Sequence, residues 1–306
     1  MQFPSGGAGG YHDGSFARQP IAMRPSHAIR TAPSPIACLP DLGRRTLLMG
    51  VVNVTPDSFS DGGLFQFPEA AAEHALALEA EGADVIDIGG ESTRPGGTPV
   101  PAEEEQRRVL PVLEALSGRA GKPISIDTYK ASTARLALEG GATIVNDIWG
   151  LQRDPDIASV AAAFDAPVVA MHNRETIDGA LDIFDDMLRF FDRSLAIARR
   201  AGIPDRHIVL DPGIGFGKTW EQHLEALRRL PDLKAALPFP VLVGVSRKSL
   251  LGHIHNTSVP PRDRLFGSIG AHVTAVALGA DIVRVHDVRA HAEACQVADA
   301  IVKHVP

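Results

Sequence analysis

Cysteine is nearly absent. Cys38 and Cys295 are the only two in 306 residues, and neither stands in a spaced cluster of metal-ligating side chains. That leaves no material for a disulfide framework or a zinc ribbon, and a reducing compartment, the cytoplasm, is the expected location. There is no excess of positive charge either: Lys+Arg 30 against Asp+Glu 37 gives a net −7. A nucleic-acid partner is therefore not expected, although local charge can still attract an anionic substrate. No apolar run approaches the ~18–20 residues of a membrane-spanning helix, so no membrane partner is expected. The first 40 residues lack acids, with Asp13 alone, are rich in proline and glycine, and contain no secretory apolar core. Residues 1–43 are accordingly expected to form a low-complexity, disordered extension, and residues 44–306 a single folded domain.

What is present is a globular composition, 44% hydrophobic and 22% charged. From Arg44 onward, short β-branched runs alternate with Ala/Leu-rich stretches of helical length. The apolar runs are Leu47–Val54, Ala83–Ile88, Pro123–Asp127, Ala142–Ile148, Pro167–Met171, His207–Asp211, Pro240–Val245 and Asp281–Val285. Strands that alternate with helices indicate parallel βαβ units. Eight of them predict an α/β fold of the (β/α)8 TIM-barrel type, with a doubly wound open sheet as the rival. Phe184, Met187, Leu188, Phe191, Leu195 and Ala198 recur at helical spacing and predict an amphipathic helix.

The predicted strand ends are unusually polar. They carry, in order, Asn53, the stretch Asp87 to Gly96, Asp127, Asn146-Asp147, Met171-His172-Asn173, Asp211, Ser246-Arg247-Lys248-Ser249 and Arg284-Val285-His286-Asp287. A single strand-end Asp is explained by capping of the next helix. Eight polar ends that converge on one barrel mouth are harder to explain that way, because buried charge is costly unless it is paired or bound. Both signs occur together with amides, which suits a ligand with a hydrogen-bond-donating edge and an anionic part. Asp211 to Thr219 looks like a phosphate loop but has Pro212 where Walker A needs glycine. Asn53 to Gly63 reads as an ordinary surface loop or as a lid that excludes water. His172 reads as structural, Trp149 as bulk at the rim, and Glu103-Glu104-Glu105 as acids complementing a helix dipole.

These residues form motifs. NVTPDSFSDGG runs from Asn53 to Gly63, DIGGESTRPG from Asp87 to Gly96, SIDTYK from Ser125 to Lys130 and VND from Val145 to Asp147. LDPGIGFGKT then spans Leu210 to Thr219, GVSRKS Gly244 to Ser249, and RVHD Arg284 to Asp287. In this order the chain from about Arg44 onward resembles the dihydropteroate synthases, the folate-pathway enzymes with a pterin-binding barrel. The resemblance implies small-molecule substrates: 6-hydroxymethyl-7,8-dihydropterin diphosphate condensing with 4-aminobenzoate, assisted by Mg²⁺. It implies pterin contacts at Asp127, Asn146, Met171, Asp211, Gly215 and Lys248, with the Arg284 guanidinium against the ring face. Asn53, Arg94, Arg284 and His286 would hold the diphosphate, with Asn53 the direct metal ligand. Phe59, Thr93, Arg94, Pro95, Phe216 and Ser249 would line the aminobenzoate site. Asp57 and Asp61 on the lid would join Lys248, Arg284 and His286 in catalysis. A homodimer through barrel helices is implied too, although no heptad shows it. A pterin-binding methyltransferase module serving a corrinoid partner, or a non-catalytic pterin-binding paralogue, would use many of the same residues.

Overall fold

Each of the eight apolar runs carries a strand, the second reaching one residue past its run: β1 (Leu47–Asn53), β2 (Val85–Gly89), β3 (Ile124–Asp127), β4 (Ile144–Asp147), β5 (Val168–Met171), β6 (Ile208–Asp211), β7 (Leu242–Val243) and β8 (Ile282–Val285). A computed structural model describes residues 36–55, 67–92, 99–254 and 259–303, all within one compact unit, Pro33–Pro306. The strands are parallel and ordered β6-β5-β4-β3-β2-β1-β8-β7. A parallel bridge between Leu210 and Val241, with Leu210 N donating to Pro240 O at 2.9 Å, rejoins β6 to the segment leading into β7. That closure decides for the barrel over the open sheet.

The strands β2 to β6 are buried along their whole length, which is why they read as apolar runs and not as alternating ones. Alternation survives in where the side chains go. Leu47, Met49, Val85, Ile144, Val169, Val209, Leu242 and Ile282 pack together inside the amino-terminal end of the barrel. The intervening residues, such as Leu48, Ile86, Val145, Ala170, Leu210 and Val283, face outward into a second cluster shared with the helices. Ile36 and Leu39 join the inner cluster and are buried. The packed body thus begins ahead of residue 44, the boundary expected from composition, because two apolar side chains in a proline-rich stretch are averaged away in any window. Each is worth roughly 1.5–3 kcal/mol when fully buried.

Between the strands run α1 (Phe67–Ala80), α2 (Ala102–Leu116), α3 (Ala131–Glu139), α4 (Ile157–Ala163), α5 (Ile183–Ala201), α6 (Trp220–Arg228), α7 (Leu230–Ala236), α8 (Ser249–Ile254), α9 (Leu265–Ala277) and, after β8, α10 (Val288–Val302). α5 is the predicted amphipathic helix. Asp182 caps it by accepting from Phe184 N and Asp185 N at 2.9 and 3.1 Å, and Phe184, Met187, Phe191, Leu195 and Ala198 are buried. No helix among the described residues is long and apolar enough to cross a membrane.

Candidate functional site

The pleat places the polar set. A lumen-facing position recurs every second residue. Val85 is therefore followed inside the barrel by Asp87, Ile144 by Asn146, Val209 by Asp211, and Ile282 by Arg284. Asp127 ends β3 beside Asn146, and Met171 ends β5 beside Asp211. An apolar floor thus carries a ring of polar groups on its carboxyl-terminal side, and Asp87, Asp127, Asn146 and Asp211 are all buried. Asp147 has the opposite phase. It faces away and holds the next turn, accepting from Trp149 N at 2.8 Å and Leu151 N at 2.7 Å.

Arg284 organises the lumen. Its Nε donates to Asp87 Oδ2 at 2.6 Å and its Nη2 to Asp127 Oδ2 at 2.7 Å. Asn146 Nδ2 donates to the same Asp87 oxygen at 3.1 Å. The Arg284 guanidinium, expected against a ring face, bridges two carboxylates in the lumen. This leaves Asp87 Oδ1 and Asp127 Oδ1 buried with no hydrogen-bond partner among the described residues. Such acceptors cost about 1–3 kcal/mol each unless a donor arrives. Burial pushes the Asp127 carboxyl up to about 7, against the pull of Arg284. Burial also raises Asp211, against the pull of Lys248, and its Oδ1 accepts from Gly213 N at 2.7 Å.

Lys248 enters from the far side. Its ammonium bonds Ile214 O and sits 4.7 Å from the centre of the Phe216 ring. Burial lowers it to about 8, with Asp211 opposing. Gly215 is required here: its φ is +92° and a Cβ would lie 2.7 Å from Lys248 Cδ. Gly215→Ala should displace the lysine and destabilise the fold by about 1 kcal/mol or more. A pterin affinity equal to wild type by calorimetry would contradict that.

His286 Nδ1 lies 3.0 Å from Ser246 Oγ, and burial together with Arg284 and Arg247 lowers its pKa to about 3. Its ring N–H can offer an anion a hydrogen bond. Asn53 ends β1 beside Gly89 and is half-buried. Ser249 is exposed at the start of α8. Asp57, Phe59, Asp61, Thr93, Arg94 and Pro95 lie outside the described residues.

Two buried residues escaped the sequence reading of the site. Asp87 was given no ligand role, although it stands one pleat beyond Val85. Glu105, read as a helix-opening acid, is 1% exposed and accepts from Thr133 Oγ1 at 2.9 Å, Lys130 Nζ at 3.1 Å and Thr128 Oγ1 at 3.2 Å. It anchors the β3–α3 turn beside the mouth. His172 is structural as expected. Its Nε2 is 3.1 Å from Asp186, its ring is 4.9 Å from Phe190, and burial lowers its pKa to about 4.

For a divalent cation, the described residues contain no group of three or more His, Cys, Asp or Glu side chains that could hold it. What β1 offers is one neutral amide oxygen, that of Asn53. Such a donor fits Mg²⁺, which keeps several waters and shares oxygens with a phosphorylated substrate, and does not fit an ion caged by protein alone.

Residues 49–286 match the family described as pterin binding enzyme. A dihydropteroate synthase of Synechocystis is 48% identical over 85% of this chain and 92% of its own. A dihydropteroate synthase from Clostridium difficile, solved with pteroic acid, superposes with a TM-score of 0.82 at 49% identity, over 85% of this chain and 98% of that one. One from Xanthomonas albilineans, in complex with 7,8-dihydropteroate, gives 0.77 at 42%, over 86% and 95%. With this similarity along nearly the whole length of its relatives, and a lumen of the kind the motifs imply, the chain belongs to the dihydropteroate synthase family of pterin-binding enzymes.

Proposed function

We propose that this barrel joins 6-hydroxymethyl-7,8-dihydropterin diphosphate to 4-aminobenzoate, releasing 7,8-dihydropteroate and diphosphate. The observation that carries the reading is the pair of unpartnered, buried carboxylate oxygens of Asp87 and Asp127 beside Asn146 and Asp211. A pterin has a 2-amino and N3–H edge that can supply the missing donors. Lys248 would donate to the ring carbonyl and N5 side, and Met171 and Gly215 would pack against the ring.

In the reaction the bond between the pterin methylene and the diphosphate oxygen breaks. Positive charge grows on the methylene, the aminobenzoate nitrogen bonds to it, and the nitrogen loses a proton. No nucleophilic side chain is needed. The lumen contributes by positioning the ring and by fixed charge that needs no reorganisation. His286 and Arg284 would hold the diphosphate, His286 through its ring N–H. When bound through Asn53 and the substrate's own oxygens, Mg²⁺ would neutralise charge on the departing diphosphate. Phe216 would cover the aminobenzoate ring and Ser249 would meet its carboxylate. Both cysteines are free, in keeping with a cytoplasmic location. A homodimer is part of the reading: Phe266 on α9 is 86% exposed and Ile301 on the adjacent α10 is 72% exposed, and a second copy would cover them. Sedimentation that finds single chains would remove this part.

The test of the activity is diphosphate release, measured with each substrate alone and with both, with and without Mg²⁺. Release is expected only with all three components present. Methyl transfer without 4-aminobenzoate would replace the reading with the methyltransferase one. Tight pterin binding without release would leave a non-catalytic paralogue.

A further inference from the structure

The segment between β6 and α6 is held on two sides by lysines. On one side Lys248 bonds Ile214 O. On the other, Lys218 donates to Gly213 O at 3.0 Å, Phe216 O at 3.2 Å and His172 O at 3.4 Å. Lys218 is 4% exposed, and among the described residues no carboxylate lies within ion-pair distance of it. Peptide N–H groups of the same segment are also taken, Gly213 N by Asp211 at 2.7 Å and Gly215 N by His223 Nδ1 at 3.2 Å. Gly213 has φ +68°, and a Cβ there would lie 1.9 Å from His172 O, so the segment is pressed against the end of β5.

An ammonium buried without a counter-ion is costly, and an apolar side chain of the same length would fill the space at lower cost. What the ammonium adds is a point on which three carbonyls converge. With the carbonyls of residues 213 and 216 drawn to Lys218, the intervening Ile214 carbonyl is left turned the opposite way, toward Lys248. The Phe216 ring is held against that same lysine.

We infer that Lys218 is a positioning residue for the ligand lumen: by gathering the carbonyls of His172, Gly213 and Phe216 it fixes the Ile214 carbonyl and the Phe216 ring that in turn orient Lys248. It need not touch the substrate. Burial lowers the Lys218 pKa, as it does that of Lys248, so the two ammonium groups are not interchangeable with solvated ones. For its ligand the inference rests on the pterin reading; for the segment it rests on geometry alone.

The test uses the full chain with Lys218→Met and Lys218→Gln, each alone and combined with Lys248→Ala. Binding of 6-hydroxymethylpterin is measured by calorimetry, and amide exchange is followed over residues 211–219. Lys218→Met should weaken binding about tenfold, Lys218→Gln less, and both should speed exchange in the segment. In the Lys248→Ala background the Lys218 change should add less than about twofold, since the residue it orients is gone. KM for 4-aminobenzoate should rise along with the pterin Kd in Lys218→Gln, because the Phe216 ring that Lys218 holds would cover the aminobenzoate ring. Undiminished pterin binding in both single variants would overturn the inference. So would an undiminished loss in the Lys248→Ala background, which would mark Lys218 as a general fold residue. If Lys218→Met does not fold, Lys218→Gln, which keeps two donors, decides by the same measurements. Failure of the wild type to bind the pterin would defeat the functional reading, and unchanged exchange in the segment would still separately defeat the positioning role.

Discussion

Arg284→Met should be the most damaging single change in the barrel, costing the fold about 3–5 kcal/mol. The guanidinium reaches Asp87 at 2.6 Å and Asp127 at 2.7 Å, and both carboxylates are buried. Methionine fills similar space but leaves two carboxylates in one lumen with their shared counter-ion removed. The cheapest response is proton uptake, which sets the sign of the pH dependence. Asp127 already titrates near 7 because burial disfavours its charge, and without the arginine it should rise further. The penalty of the mutation is therefore fully present above that value and shrinks as pH falls and the carboxylates become neutral. Urea denaturation at several pH values checks this: the gap between wild type and variant should narrow on acidification. A gap that is constant with pH would mean the loss is one of packing and not of charge. Arg284→Lys should restore only part of the stability, since a point charge cannot serve two carboxylates through a planar fork.

How much of this was legible beforehand depends on which period each residue obeys. The strands were legible because parallel strands covered on both faces appear as apolar runs, and each run ends where the barrel opens. Asp87 stands first in the polar end of its strand, but only counting by two from Val85 turns its side chain into the lumen as a ligand-facing group. Glu105 was obscured by its neighbours Glu103 and Glu104, since all three lie in the first turn of α2. Its helical phase gives it away: residues 105, 109, 112, 113 and 116 form one buried stripe. Ile36 and Leu39 were lost to averaging over prolines. Lys218 gives no signal of its own in a glycine-rich turn that resembles a phosphate loop, and nothing in a linear string says that carbonyls from the end of β5 and from the β6–α6 segment meet at one ammonium. Pairings of this kind, like the Arg284 bridge, arise from closure of the barrel and join residues as far apart as 87 and 284.

Lys248→Ala should lower pterin affinity by about 1.5–3 kcal/mol, the worth of a hydrogen bond to a charged group, or about 10- to 150-fold. The size follows from the setting: the ammonium is half-buried beside Asp211, and alanine puts no donor in its place. The pH profile of binding adds a second, independent reading. Asp127 must be ionised to accept from an N–H edge, and burial holds it at about 7, so affinity should fall as pH drops below that value. Lys248 must be protonated to donate with full charge, and burial holds it at about 8, so affinity should fall again as pH rises past that value. The wild-type profile is thus a narrow bell. Lys248→Ala should flatten the alkaline limb and leave the acid limb, and Asp127→Asn should do the reverse. An alkaline limb that survives in Lys248→Ala would belong to Lys218, the other ammonium, whose pKa burial lowers to about 7. Because Lys218 acts through Lys248 if it positions that residue, its titration should be silent once Lys248 is gone. A surviving limb would therefore show Lys218 to influence the ligand directly.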